Sequence, residues 1–105
     1  MAAPRPGVIW SADARADLDS VWNYYERVAG LSVAEKMVRQ IDDVVRLIQE
    51  HPFAGRARDE VRAGLRSFAT TPHVVFYRIR NDTPEIVRIL DGRRDIDDIF
   101  AAGTP

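Results

Sequence analysis

Arginine is the residue type with which this chain could do chemistry. Fourteen of the fifteen basic residues are Arg, only Lys36 being Lys, beside two histidines and no cysteine. Arg66, Arg78 and Arg88 fall in segments that read as strands, and Arg93 and Arg94 follow the last of these. A guanidinium holds a carboxylate or phosphate with two parallel hydrogen bonds and stacks on aromatic planes, so such a set suits a contact surface. The competing explanation is an arginine-rich codon usage with no functional meaning. The absence of Cys removes disulfides, thiol nucleophiles and thiolate metal sites together. His51 precedes a proline at the end of a helical pattern, and His73 follows one before a strand. With no H-x-x-x-H spacing they make no metal site, and His51 reads as a partner for the last helix carbonyls. Asp42-Asp43 and Asp97-Asp98 are adjacent on helical segments, so their side chains diverge into solvent. No glycine-rich phosphate loop is present. Neither a metal nor a cofactor is expected.

The charge is uneven. Residues 1–55 carry six basic and eight acidic groups, residues 56–94 carry nine Arg against five acids, and the last eleven residues carry three Asp and no base. The whole comes to −1, with a pI near 6.1. A basic middle could touch nucleic acid, but this balance argues against strong autonomous DNA binding. The 105 residues make one domain with a modest core, 1–105, with 1–7 and 101–105 expected to be flexible. No run approaches 18 apolar residues, and Met1 to Gly7 carry no apolar signal region, so neither a membrane span nor export is expected and a cytoplasmic location fits.

The elements that must position these arginines follow from periodicity. Val74 to Arg80 and Glu85 to Leu90 are rich in β-branched and aromatic residues and flank the turn formers Asn81-Asp82-Thr83-Pro84, the pattern of a β-hairpin. Leu65 to Thr70 reads as a third strand, closed by Thr71-Pro72. Alternation puts Val75, Tyr77 and Ile79 on one face and Val74, Phe76, Arg78 and Arg80 on the other, with Val87 and Ile89 opposite Ile86, Arg88 and Leu90. One sheet face is then apolar and calls for helices, while the other mixes apolar residues with Arg66, Arg78 and Arg88.

Upstream, Val8 to Trp10 is a short strand that must join the sheet. Ser11 reads as a helix N-cap, with Asp13 in the first turn. Ala14, Leu18, Val21, Trp22, Tyr25 and Val28 then form one helical stripe that Gly30 ends. Ser32 and Glu35 have capping-box spacing, and Ala34, Met37, Val38, Ile41, Val44, Val45 and Ile48 make the strongest stripe in the chain, stopped by Pro52. So short a link at Gly30-Leu31 folds the two helices into an antiparallel hairpin. Pro52 to Gly64 reads as a loop with a short turn near Asp59-Glu60-Val61. Ile96, Ile99 and Phe100 have helical spacing, and Ala101 to Pro105 are expected to fray. The expected fold is α+β, β-α-α-β-β-β, with the helical hairpin on one face of a small, mainly antiparallel sheet and a short C-terminal helix.

Four local patterns in this order resemble the ParE/RelE toxin superfamily of type II toxin–antitoxin systems. They are Trp10-Ser11-x-x-Ala14-x-x-Asp17-Leu18, His51-Pro52-x-x-Gly55-Arg56, Gly64-Leu65-Arg66 with Val75-x-Tyr77-Arg78-Ile79, and Val87-x-Ile89-Leu90-x-Gly92-Arg93-Arg94-Asp95. The resemblance spans nearly the whole chain and implies the RelE-like fold and a bacterial or archaeal cytoplasm.

Two activities occur in that superfamily. RelE-type members cut messenger RNA on the ribosome, which needs groups that move protons and cations around the phosphate. The corresponding basic residue of the central strand falls on Val74, the tail tyrosine on Phe100, and the sheet lysines on Leu65 to Ser67, where only Arg66 is basic; Arg94 alone fits. The departures point to the ParE-type class, non-enzymatic inhibitors of DNA gyrase. These are neutralised by a ParD-type antitoxin whose flexible segment folds on the toxin in a hetero-oligomer. On that resemblance Arg66, Arg78, Arg88, Arg93 and Arg94, with Phe100 as an apolar anchor, are the candidate target surface. Trp22 and Tyr25 are candidates for the antitoxin groove at the helical hairpin. Against these stand plainer readings: Arg78 and Arg88 paired with acids for solubility, and Trp22 and Tyr25 as ordinary core. A ribosome-dependent endonuclease and a module that has lost toxicity but still binds an antitoxin remain the alternatives.

Overall fold

A computed structural model describes residues 7–102. Most of the segments expected to be flexible, residues 1–6 and 103–105, lie outside the described residues. The elements are β1 (Ile9–Trp10), α1 (Ala12–Ala29), α2 (Leu31–Glu50), β2 (Arg56–Ala57), β3 (Arg66–Thr70), β4 (His73–Arg80), β5 (Thr83–Asp91) and α3 (Ile96–Ala102). The sheet order is β1-β5-β4-β3-β2, with β1 parallel to β5 and the other pairs antiparallel. The architecture is the expected α+β arrangement with one added strand, β2, which pairs Arg56 with Ser67 and Ala57 with Arg66 inside the segment read as a loop. Two residues are too few for periodicity to register. α3 continues through Ala101 and Ala102, past the point where fraying was expected.

Ser11 caps α1 as its sequence position suggests, accepting from the Ala14 N–H, and its hydroxyl also donates to the Val87 carbonyl. Gly30 ends α1 and begins α2 within a single residue, at φ 93°, a conformation that favours glycine. The capping box expected at Ser32 is not formed: α2 already starts at Leu31, which leaves Ser32 inside the first turn with no side-chain cap. Asn81 and Asp82, both at positive φ, make the tight turn between β4 and β5, closed by the Arg80–Thr83 pair.

The main core lies between the helical hairpin and the sheet. Ala14, Leu18 and Val21 of α1 and Val38, Ile41, Val45 and Ile48 of α2 pack on Val75, Tyr77, Ile86 and Ile89. A second, smaller cluster sits on the outer sheet face, where Leu65, Phe76 and Leu90 are covered by Phe100 of α3, with Val74, Val87 and Ile96 around them. Strict alternation placed Val87 with Ile89 and opposite Ile86. The structure puts Ile86 with Ile89 instead, because β5 bulges where Phe76 pairs with Arg88 but Tyr77 pairs with Ile86. The extra residue, Val87, turns to the outer face and shifts the phase of the rest of the strand.

Candidate functional site

An open groove of about 540 Å³ lies where the second half of α1 passes the ends of β4 and β5. Its helical wall includes Val21, Tyr24, Tyr25 and Val28, and α2 adds Val33. Ile89 and His73 contribute on the sheet side, and Asp91, Arg93 and Arg94 line the polar end. Tyr24 and Val28 are each 52% exposed, although Val28 reads as part of the core stripe of α1. Tyr25 stacks edge-on with both Tyr24, at 5.0 Å, and the buried His73, at 5.9 Å between ring centroids. These contacts hold a ring ladder from the helix surface down to the sheet. The groove is apolar at its helical wall and cationic at its strand end.

The cations at that end are not equivalent. Asp91 accepts from Arg93 three times, from Nε at 2.9 Å, from Nη2 at 2.6 Å and from the backbone N–H at 2.9 Å. This chelation holds the Asp91 carboxyl far below the usual carboxylate range and raises Arg93. Arg94 is exposed, and among the described residues its side chain has no ion pair. Burial lowers the His73 pKa below its ordinary value, with Asp91 opposing that shift and Arg93 adding to it. His73 therefore faces the groove as a neutral ring at pH 7.

The arginines expected to share a surface are dispersed. Arg66 sits opposite Tyr77, on the helix-side phase of the sheet, and its Nη2 donates to the carbonyls of Phe53 at 3.2 Å and Gly55 at 2.7 Å. Arg78 is tied to Glu85 across the hairpin at 2.6 Å. Arg88 makes a bidentate pair with Asp17 of α1, at 2.8 and 3.0 Å. Asp17 also accepts from the Ile89 N–H at 2.9 Å, and together with Ser11 it satisfies the β5 edge beyond the end of the two-residue β1. The mixed face of Arg66, Arg78 and Arg88 is thus corrected: the β3–β4 register puts Arg66 on the phase of Tyr77, Glu85 holds Arg78 across the hairpin, and Asp17 draws Arg88 to α1 beyond the short β1. Pairing of Arg78 and Arg88 with acids was the plainer reading, and it describes their geometry. Phe100, expected as an apolar anchor of that surface, is 7% exposed and closes the outer cluster against Phe76, with ring centroids 5.1 Å apart. Of the two residues expected in the groove, Tyr25 lines it. Trp22 is half-buried against the main core and does not.

Sequence reasoning missed several residues. Tyr24 stands between Ser20 and Val28 at i, i+4, i+8 spacing, one position off the stripe residue Tyr25, so the row at the flank of the stripe was a readable signal. Arg58 and Arg62 lie over the rings of Phe76 and Phe100, with the guanidinium carbon 5.5 and 5.1 Å from the centroids. They lid the outer cluster from a segment that looks like polar loop. His51 is the C-cap of α2, through its backbone N–H to the Leu47 carbonyl. Among the described residues no group of His, Asp or Glu could hold a metal ion, and no helix is long and apolar enough to cross a membrane.

Comparison with known proteins gives one consistent answer. Residues 8–96 match the family model of the ParE toxin of the type II toxin–antitoxin system parDE. Toxin ParE1 of Caulobacter vibrioides is 40% identical over 80 residues, covering 76% of this chain and 82% of that protein. Toxin ParE1 of Mycobacterium tuberculosis is 33% identical over 88 residues, covering 83% and 90%. A solved structure of the chromosomal ParDE toxin–antitoxin system from P. aeruginosa superposes with a TM-score of 0.71 at 27% identity, covering 80% of this chain and 92% of that one. The fold, the order of its motifs and these relatives agree that the chain belongs to the ParE toxin family of type II toxin–antitoxin systems.

Proposed function

We propose that this chain arrests growth by inhibiting DNA gyrase as a stoichiometric binder, and that a ParD-type antitoxin neutralises it by folding a segment into the groove between α1 and the end of β5. The observation that carries the antitoxin half is the groove itself: Tyr24 and Val28 stay half exposed on its helical wall, and Arg94, with no ion pair among the described residues, stands at its strand end. An amphipathic segment with apolar residues toward Tyr24 and Val28, and a carboxylate toward Arg94, matches both ends. Such a segment would be disordered alone and would order on binding. The gyrase half rests on family membership and on the side chains at the positions a messenger-cleaving relative would use. Val74 and Phe100 are packed in the outer cluster and offer no proton to donate or accept.

The test is a supercoiling assay with purified gyrase and antitoxin-free protein. Inhibition with accumulation of cleaved DNA, relieved by the antitoxin encoded beside this chain, is the expected result. Full gyrase activity at micromolar protein, together with cleavage of messenger RNA on ribosomes, would transfer the reading to the endonuclease class. The groove assignment is tested separately by Tyr24→Glu with Val28→Glu, which should abolish antitoxin co-purification while leaving the supercoiling effect in place.

A further inference from the structure

The sheet leaves part of β3 uncovered. β2 pairs with it at two positions, Arg56 with Ser67 and Ala57 with Arg66. The Leu65 carbonyl accepts from the Arg58 N–H at 2.7 Å, so Leu65 turns its backbone polar groups away from β4. Alternation gives Ser67 and Ala69 the same direction. Ser67 meets β2, but β2 stops short of Ala69, an exposed residue whose N–H and C=O face out from the sheet. The chain that precedes β2 is held elsewhere. The fully buried Tyr77 donates its hydroxyl to the Pro52 carbonyl at 2.6 Å and accepts from the Gly55 N–H at 2.9 Å. Arg66 ties the carbonyls of Phe53 and Gly55. Tyr77 and Arg66 are strand partners, and Ala69 lies three residues further along, about 10 Å at strand rise.

Beside the open edge lies a pocket of about 370 Å³ between α2 and β3. Val44 and Leu47 of α2 line it with Phe68 of β3. Phe68 packs against the main core, so it and Thr70 share the helix side of the sheet. A strand laid along Ala69 would therefore turn the residues next to its pairing position into this pocket. Asp43 also lines it, exposed and with no ion pair among the described residues. No residue is shared with the groove. The groove follows α1 and the end of β5, whereas this pocket follows α2 and β3, with β4 between the two strands.

We infer that the open edge of β3 docks an extended segment of the target protein. The segment adds as a short strand at Ala69, sets an apolar side chain among Val44, Leu47 and Phe68, and carries a lysine or arginine toward Asp43. This rests on the toxin reading, which supplies the target. Each feature specifies the occupant: the outward N–H and C=O ask for extended backbone, the pocket for an apolar side chain, the free carboxylate for a cation. That carboxylate repels a phosphate backbone, which excludes nucleic acid as the occupant. A second copy paired through its own Phe68 to Thr71 would bring no cation in that stretch. An antitoxin segment seated in the groove lies beyond β4 and leaves this edge open. Neutralisation then works by blocking approach or holding the complex in an assembly, not by covering β3.

The experiment compares wild type, Asp43→Arg, Ala69→Pro and Glu50→Arg on induced expression. It follows surviving colonies, co-purification with the antitoxin encoded beside the chain, sedimentation and melting temperature. Asp43→Arg and Ala69→Pro should each raise survival roughly tenfold or more, with antitoxin capture unchanged. Glu50→Arg, an equal charge change on α2 away from the pocket, should stay as toxic as wild type. Ala69→Pro removes an N–H that faces out, a placement an edge strand tolerates. If it nevertheless lowers the melting temperature, the exposed Asp43→Arg decides alone. If wild type arrests growth and Asp43→Arg does so equally, the inference falls and the function stands. A wild type that leaves growth untouched removes the function and the inference together. Loss of antitoxin capture in Asp43→Arg would assign the edge to the antitoxin, against the inference. A wild-type dimer that Ala69→Pro turns into a monomer would replace the target with a second copy.

Discussion

The sheet buries an apolar cluster on each face, but the two are closed by different means. On one face α1 and α2, of 18 and 20 residues, lay continuous stripes over Val75, Tyr77, Ile86 and Ile89. On the other, the seven-residue α3 contributes Phe100, and Arg58 and Arg62 spread over the aromatic rings from the connecting loop. Long helices bury area on several turns at once, so the first face can hold the fold together. The second is closed by one ring and two cations, each removable without unpicking the helices. The difference shows why arginine counts mislead in this chain: many of its guanidiniums close, cap or brace the fold, and few are left to meet a partner.

The strongest way to break this comparison is to cut a side chain on each face. Ile41→Ala, in the fully buried core, should cost about 2–5 kcal/mol and lower the melting temperature of the whole domain. Phe100→Ala removes more atoms but should cost only about 2 kcal/mol, because its surroundings can collapse or let α3 leave. Hydrogen exchange should then show residues 96–102 losing protection while α1 and α2 keep theirs. Equal, global destabilisation by both variants would mean that the outer cluster is a core in its own right.

The comparison is sharpened at the sheet edge. Asp17→Ala leaves the Arg88 guanidinium and the Ile89 N–H without their acceptor and should cost about 1–3 kcal/mol in urea unfolding. Arg78→Ala breaks a pair whose arginine is 44% exposed and should cost less than about 1 kcal/mol. Should the two be equal, Asp17 is only another surface carboxylate.

The smallest effect concerns pH and the groove end of the sheet. Burial keeps the His73 pKa below its ordinary value of 6.5, so below that pH the unfolded chain takes up a proton that the folded chain resists. Stability should therefore decline as pH falls below that value, and His73→Gln should flatten that part of the profile of melting temperature against pH. Asp91 acts in a different window: its depressed carboxyl contributes stability that is present above its ordinary value of 3.8 and lost only as pH falls below that.

Local pattern by itself determined the helical hairpin, the three-strand meander and the cap at Ser11. Each of these is a local preference repeated often enough along the chain to be read without its neighbours. The motif order carried the family for the same reason, since it records elements in sequence. Tertiary structure decided which side chains are available. The bulge at Val87 exchanged the faces of Ile86 and Val87, and Asp17, 71 residues from Arg88, took a guanidinium that alternation had sent to the outer face. Phe100 turned from surface to plug because Phe76 and Leu90 were waiting for it on strands already paired. Phe53 looks like any loop residue until Arg66 reaches its carbonyl and Tyr77 the backbone of Pro52 and Gly55 around it. Whether a charge or a ring is free depends on contacts between residues far apart in the chain, and no local pattern encodes those.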